Sequence, residues 1–372
     1  RLAMYIHEKP NWTDFYWNKS EVDPLLEKAC RAQGALSGRL RSLGFDDQLK
    51  SLAENAIVDV LRSSEIEGIA FNMDQVRSSV AKRLGIEMDS RRAPSRSIDA
   101  VVEVTLFAME HYDTKVTHEI LWGWQSAFFE GRFSKGSRIE VGKYRTCEEQ
   151  VVSGMYGREK VHYEAPAPER ILGEMEKFIE WFNGYDGKPW IIRSAIAHFW
   201  FVSIHPFEDG NGRLARILGD MQLSRGEQSN ARFYSMSSQI NNDRKEYYRI
   251  LKLTQSGNGD ITQWLVWFLN TLLISLNDAE SQIDGVFAKT RFWNAFAGTA
   301  LSERQKEILN IYLDGYEGKI NSRNWAHLGK CSSDTANRDL ADLCTKGLLV
   351  CDDPDAKRRT YRLAEIKTKS LV

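Results

Sequence analysis

The sequence predicts a mainly α protein: a large helical part interrupted by one small β-hairpin, then a separate carboxy-terminal unit of three helices and two strands. Three observations carry this. Apolar residues recur at helical spacing through most of the first 280 positions. Residues 138–166 break that pattern with short β-favouring runs around a Gly-containing turn. The last seventy or so residues restart with an element order of their own. A hydrophobic content of 42% and a charged content of 27% are ordinary for globular chains and exclude wholesale disorder. At 372 residues, two or three domains are expected. They are an amino-terminal helical domain (1–98), a central domain (99–280) and a carboxy-terminal domain (290–372).

Taken in order, residues 21–84 read as helices. In DDQLKSLAENAIVDVLRSSEIEG, Leu49, Leu52, Ala53, Ala56, Ile57, Val60 and Leu61 recur at helical spacing. Asp46 or Asp47 suits the start of that helix and Gly68 its stop. The polar stretch DSRRAPSRS (89–97), with Pro94, reads as a linker or long loop. Helices resume at IDAVVEVTLFAMEHY and THEILWGWQSAFFEG. The hairpin is expected from Val151-Val152 and Val161 to Tyr163. After APAPER the helices return, and WIIRSAIAHFWFVSI and ILGDMQL are apolar enough for the core. In the last unit, SERQKEILNIYL, NSRNWAHLGK and SSDTANRDLADLCTKG give three helices. Ser332 or Ser333 caps the third, with Leu340 and Leu343 facing inward, and LLVCDD and TYRLA give two strands joined by PDAKRR.

Several function classes fall away. The formal net charge of −1 gives no general attraction to polyanions, so any nucleic-acid role needs a local patch. Five cysteines, an odd number without a C-x-x-C pair, fit a reducing cytosol better than a disulfide framework. The longest apolar run, WLVWFLNTLLISL (264–276), falls short of the roughly 20 residues a membrane helix needs and contains Asn270. No secretory pattern opens the chain, Met4 is expected to be the native start, and a cytoplasmic location without membrane association is expected. GRFSKGSR (131–138) imitates P-loop spacing but lacks a Lys after its second Gly. His111/His118 and His198/His205 are seven apart, not the four of a helical zinc pair, and His198 is expected in the core.

One stretch concentrates chemistry. HPFEDGNGRLAR (205–216) lies between two core-like helices. Gly210 and Gly212 permit close backbone approach, and successive N–H groups at a helix entrance make an anion cradle. Arg213 and Arg216 fall in the first turn, where the helix dipole disfavours each cation by about 0.3–1 kcal/mol. A polyanion seated there would explain both. Asp209 suits a hard cation such as Mg²⁺ between phosphates, and His205 can take a proton near neutral pH. A cradle, a metal ligand, two arginines and a base point to phosphoryl or nucleotidyl transfer.

Residues 205–216 match H-P-F-x-D-G-N-G-R-x-x-R at every defined position, so the chain resembles the Fic-domain proteins. The resemblance extends to GKYR (142–145) and the hairpin upstream and to NNDRKEYYRIL downstream, roughly residues 100–275. It implies a helical fold with a β-hairpin flap, and transfer of AMP from ATP to a protein hydroxyl with release of pyrophosphate. His205 would deprotonate the target Ser, Thr or Tyr, and Asp209 would ligate Mg²⁺. The amides of Gly210, Asn211 and Gly212 would hold the α- and β-phosphates with Arg213 nearby, and Arg216 would grip the γ-phosphate. Phe207 is expected to anchor the loop. The flap would align the target by strand addition, and Asn242, Tyr248 and Gln255 are the adenine-side candidates.

Upstream, SSEIEG (63–68) ends a helix with Glu65 and Glu67 where the dipole disfavours acids. Ser63-x-x-x-Glu67-Gly68 matches the inhibitory motif associated with Fic domains. The resemblance implies an inhibitory helix (47–67) whose Glu67 pairs with Arg216 and so removes the γ-phosphate's partner. ATP and Mg²⁺ are the expected cofactors.

The carboxy-terminal unit resembles a winged helix-turn-helix. Its third helix would present Ser333, Thr335, Asn337 and Arg338 to DNA, with Lys357, Arg358 and Arg359 at the wing. Against this, residues 301–372 hold 13 Lys and Arg to 11 Asp and Glu, and Asp334, Asp339 and Asp342 lie along that helix. The candidate partners are therefore ATP, a target protein (the chain itself included), DNA and a second copy of the chain. The alternative function is a DNA-binding transcriptional regulator whose Fic domain senses a ligand or regulates the protein itself.

Overall fold

The amino-terminal aromatic stretch forms one 3₁₀ turn, Ile6–Glu8, and the chain then turns almost wholly helical. The computed structural model describes residues 5–41, 45–87, 92–129, 133–134, 137–153, 160–230, 232–356 and 358–366. Met4, the hairpin turn and Lys357 lie outside them. The helices are α1 (Lys19–Leu40), α2 (Phe45–Ile66), α3 (Met73–Leu84), α4 (Arg96–Glu110) and α5 (His118–Ala127). Four short strands follow: β1 (Phe133–Ser134), β2 (Ser137–Arg138), β3 (Gln150–Ser153) and β4 (Lys160–Glu164). Then come α6 (Pro168–Asn183), α7 (Trp190–Ile204), α8 (Asn211–Glu227), α9 (Met236–Asn242), α10 (Arg244–Gln255) and α11 (Thr262–Ala295). The fold class is the expected one, mainly helical with small antiparallel hairpins.

Capping side chains set many helix starts. Asn18, Asn72, Ser95, Thr117 and Ser235 each accept a main-chain N–H of the first turn, worth about 1 kcal/mol apiece. Helix α2 begins at Phe45, and the side chains of Asp46 and Asp47, the expected caps, lie outside the described residues. The expected hairpin forms, with Gln150 opposite Glu164, Val151 opposite Tyr163, and a bulge between Val151 and Val152. The segment with P-loop-like spacing instead pairs Phe133 with Arg138 and Ser134 with Ser137 as a second hairpin.

The chain divides into two compact units, Arg1–Ala279 and Glu280–Val372. In the first, α7 is buried on every side from Ile191 to Ile204, as an all-round apolar helix must be. Helix α8 packs against it, and both meet at the polar turn 205–210. His198 is a core residue, as expected. It is 2% exposed and bonded to the Tyr247 hydroxyl at 2.9 Å, and burial pushes its pKa down to about 3.

In the second unit, α12 (Glu303–Leu313), α13 (Ser322–Leu328) and α14 (Ser333–Thr345) precede β5 (Leu349–Cys351) and β6 (Tyr361–Leu363). Ile320 bridges to Tyr361, adding a third short strand position to the β5–β6 pair. Ser332 is the cap of α14, and Leu340 and Leu343 are fully buried. Among the described residues, no helix is long and apolar enough to cross a membrane.

Candidate active site

The turn between α7 and α8 is held in an unusual shape by its own polar groups. His205 ends α7 in the left-handed conformation (φ 52°), a strained position for a residue with a β-carbon, costing about 1–3 kcal/mol. Its N–H still bonds to Phe201 O at 3.1 Å, and its carbonyl accepts from Arg145 Nε at 2.7 Å. The imidazole Nδ1 lies 3.2 Å from Val202 O, so Nδ1 carries the proton and Nε2 keeps its lone pair. Burial, with the Arg145 guanidinium nearby, pushes the His205 pKa down to about 4, while Asp209 and Glu67 pull the other way. At neutral pH the ring is uncharged, as a general base must be.

Asn211 staples the turn: its amide donates to Phe207 O at 2.7 Å and accepts from Phe207 N at 3.0 Å. Phe207 is fully buried, the anchor expected of it. Gly210 begins α8 at φ 92°, and a β-carbon there would press on Phe128 and Phe129 at 3.2–3.3 Å. Gln125, a lone polar side chain buried in α5, donates to Asp209 O and accepts from Gly142 N at 2.8 Å. These contacts fix the cradle before any ligand enters.

The two arginines part company. Arg213 lies under the cradle, its guanidinium stacked 4.5 Å over Phe128 and 4.9 Å over Phe129. Its Nε and Nη1 are buried with no hydrogen-bond partner among the described residues, as is Nη1 of Arg216. Buried N–H groups left unpaired are costly, and their clustering here fits an anionic ligand. Arg216 otherwise faces α2: Nε donates to Ser63 Oγ at 2.9 Å, and Nη2 donates to Ser63 O at 2.9 Å and to Glu67 Oε1 at 2.7 Å. Arg216 is buried, whereas the Glu67 side chain is 25% exposed. A β-carbon on Gly212 would collide with Glu67 Oε1, so the carboxylate lies over the first turn of α8, where an anion is favoured.

Local sequence explains how Glu67 gets there. Ile69 N bonds to Ser64 O and Gly68 N to Glu65 O around a left-handed Gly68 (φ 79°), a Schellman ending of α2. Glu67 therefore sits at the helix end, one residue past Ile66, and points out of the helix rather than along it. Glu65 turns elsewhere, to Arg62 at 2.6 Å and Asn241 at 2.9 Å. Two turns back, Asp59 is buried against Arg232 and Ser235, and Asn55 bonds to Arg232 O and Tyr234 O. Burial raises the Asp59 pKa, opposed chiefly by the Arg232 charge. These contacts moor the second half of α2.

This geometry can be compared with known proteins. The Fic/DOC family model matches residues 115–223. Residues 115–223 are thus similar to a Fic domain. A family described as a domain of unknown function, DUF4172, matches residues 5–86, the part that contains α2. A protein adenylyltransferase Fic of Nematostella vectensis is 33% identical over 131 residues, covering 34% of this chain and 26% of that protein. Protein adenylyltransferase fic-1 of Caenorhabditis briggsae is 28% identical over 183 residues, covering 47% of this chain and 33% of the relative. The chain thus spans a third or less of the length of these curated relatives. A Fic family protein from Desulfovibrio desulfuricans G20 shares the fold at TM-score 0.55 and 20% identity, over 95% of this chain and 99% of that one.

Outside the loop 205–216, the expected site residues are less concentrated. The Tyr248 hydroxyl lies 3.3 Å from Ile66 O, beside the end of α2. Gln255 is buried and donates to Ser203 Oγ, while Asn242 is exposed and bonds to Gln239. Arg145 received no role from its sequence, yet it is buried and donates to the carbonyls of His205, Cys147 (2.7 Å) and Pro166 (2.6 Å). The only signal was its place in GKYR. On α14, Ser333, Asn337 and Arg338 are exposed, Thr335 is half-buried beside Ser332, and Arg358 and Arg359 are exposed.

Proposed function

We propose that the chain transfers AMP from ATP to a Ser, Thr or Tyr hydroxyl of a protein, itself included, and that Glu67 restrains it by occupying Arg216. The observation that carries the reading is the cluster of unpaired guanidinium N–H groups beside a neutral His205 at a helix entrance. The relatives' names support it. His205 Nε2 accepts the hydroxyl proton as the hydroxyl oxygen attacks the α-phosphorus. The bond to the bridging oxygen breaks and pyrophosphate leaves. The main-chain N–H groups of Asn211 and Gly212 would hold the phosphates with Arg213 nearby. Gly210 N–H, now donating to Asp209 Oδ1 at 2.6 Å, would join them once that carboxylate turns to the ion, and Arg216 would take the γ-phosphate once Glu67 moves. Preorganised positioning of the phosphates is most of the catalysis.

Among the described residues, no cluster of three His, Cys, Asp or Glu side chains could hold a metal alone. Mg²⁺ takes one or two carboxylates and completes its shell with phosphates and water. Asp209 would hold it, and the ion would neutralise phosphate charge. Tyr248, beside Ile66, is the best placed of the adenine-side candidates, with Asn242 and Gln255 flanking it in sequence. The five cysteines, all unpaired, fit a reducing cytoplasm.

The reaction class is tested with ATP labelled at either end, using Glu67→Gly protein and Mg²⁺. Label from the α-phosphate should be retained on protein and label from the γ-phosphate lost. Retention of γ-label instead would make the reaction phosphoryl transfer and overturn the reading.

A second reading adds DNA binding by the carboxy-terminal unit, in a winged-helix arrangement, and is compatible with the first. The observation favouring it is where the acids of α14 go. Asp339 is buried, paired with Arg304 and bonded to the Trp325 indole N–H, and Asp342 is bonded to Lys346 and Gln305. Asp334 stays exposed with Ser333, Asn337 and Arg338, the Asp342 side chain is 41% exposed but offset by Lys346, and Asp339 is withdrawn, which lowers the charge objection. A random-sequence duplex should bind with strong salt dependence between about 50 and 200 mM, and Arg358→Ala and Arg359→Ala should each lower the salt slope by about 1. Unchanged slopes would remove DNA from the wing.

A further inference from the structure

The aromatic amino-terminal stretch has no part in the chemistry above, yet it is fastened to the flap. A two-stranded hairpin such as β3–β4 is marginal by itself, so its placement must come from contacts at its base. Tyr163 of β4 is fully buried and donates to Ser203 O in α7 at 2.7 Å. Against that ring lie the edges of two amino-terminal aromatics, Tyr5 at 5.2 Å and His7 at 5.7 Å between centroids. His7 Nε2 is 2.8 Å from Glu164 O, the last carbonyl of β4.

His7 is itself held in place. Arg170 Nη2 donates to His7 O at 3.0 Å, and Arg170 Nη1 lies 3.5 Å from His7 Nδ1. With a cation facing Nδ1, the proton sits on Nε2, so the ring donates to Glu164 O. Arg170 pairs with Glu174 at 2.9 Å, and the buried Trp12 indole N–H donates to the same carboxylate at 3.0 Å. Beyond Trp12 the strap is pinned again, with Tyr16 N bonded to Gly259 O and Ile261 N to Tyr16 O. A segment that only covered apolar surface would need none of this. Here a buried imidazole spends its one donor on a main-chain carbonyl of the flap.

We propose that residues 5–12 act as a clamp that positions the flap, with His7 the positioning residue that transmits it. Arg145 extends the coupling. It binds Cys147 O before β3, Pro166 O after β4 and the carbonyl of His205, so flap base and catalytic base share one guanidinium. The clamp gives a role to the front of the domain of unknown function. Its back, α2, faces the phosphate arginine while its front fixes the strand pair against which a target segment would lie. The activity arm of the test rests on the AMP-transfer reading; the exchange arm does not.

The test compares His7→Phe, which keeps a ring but loses the donor, with His7→Gln, which keeps an N–H, both in Glu67→Gly protein. His7→Phe should speed amide hydrogen exchange across residues 160–166 by about tenfold. It should slow self-incorporation of AMP by about tenfold at saturating ATP, with MgATP affinity unchanged. His7→Gln should restore most of both. Unchanged exchange at 160–166 in His7→Phe would overturn the clamp, as would faster exchange throughout the unit with MgATP affinity lost in step. If Glu67→Gly protein incorporates no AMP at all, the AMP-transfer reading fails, and exchange alone decides the clamp.

Discussion

Glu67→Gly should raise AMP incorporation by one to two orders of magnitude, about 1.4–2.8 kcal/mol of relieved restraint, and should weaken the free protein at the same time. Both effects follow from one contact. Arg216 is buried and bonded to Ser63 and Glu67, and Glu67 is its anionic partner among the described residues. Burial alone would lower its pKa, and the Glu67 carboxylate reverses that. Removing the carboxylate leaves a buried cation short of a partner, at a cost of about 1–3 kcal/mol for a site with some solvent access. MgATP supplies a substitute anion, so added nucleotide should stabilise Glu67→Gly protein far more than wild type. Thermal unfolding with and without MgATP, beside a label-incorporation assay, measures the two together. Equal nucleotide stabilisation of both proteins would contradict the account.

His205→Ala should lower transfer by about 10²–10⁴ while leaving MgATP affinity within a few-fold of its parent. On the proposed mechanism the ring receives the hydroxyl proton, whereas the turn is built by other groups, notably the Asn211 staple and the left-handed Gly210. The pH dependence is part of the same expectation. A histidine pushed down to about 4 is neutral above that pH and loses its basic lone pair only below it. The acid limb of kcat/KM, which reports the free enzyme, should therefore fall well below the 6.5 of an ordinary histidine. An acid limb near 6.5, or full activity in His205→Ala protein, would assign the base elsewhere.

How much of this was legible in the sequence varies by residue. The loop 205–216 was readable because one short segment had to carry every polar part; the structure ends α7 at His205 and starts α8 with Asn211, Gly212, Arg213 and Arg216, the last turned toward α2. Glu67 was readable from its misplaced charge, and Gly68 from the stop it provides; the Schellman turn shows why the two adjoin. Arg145 and Gln125 were not, because their partners are main-chain groups distant in sequence and periodicity carries no trace of them. The acids of α14 misled for a related reason. Composition counts Asp339 as surface charge, whereas it is buried against Arg304, and the half-exposed Asp342 is offset by Lys346 and Gln305. The clamp of residues 5–12 was illegible too, since its aromatic spacing fits simple packing equally well.

The central claim is that Glu67 holds the group meant for the γ-phosphate. Calorimetric affinities of wild type, Glu67→Gly and Glu67→Gly/Arg216→Ala for MgATP and for ADP test it most directly. Wild type should bind MgATP no better than ADP, Glu67→Gly should gain about tenfold or more for MgATP alone, and loss of Arg216 should erase that gain. If Glu67→Gly tightens ADP and MgATP alike, or the gain survives without Arg216, the restraint does not act through the γ-phosphate site.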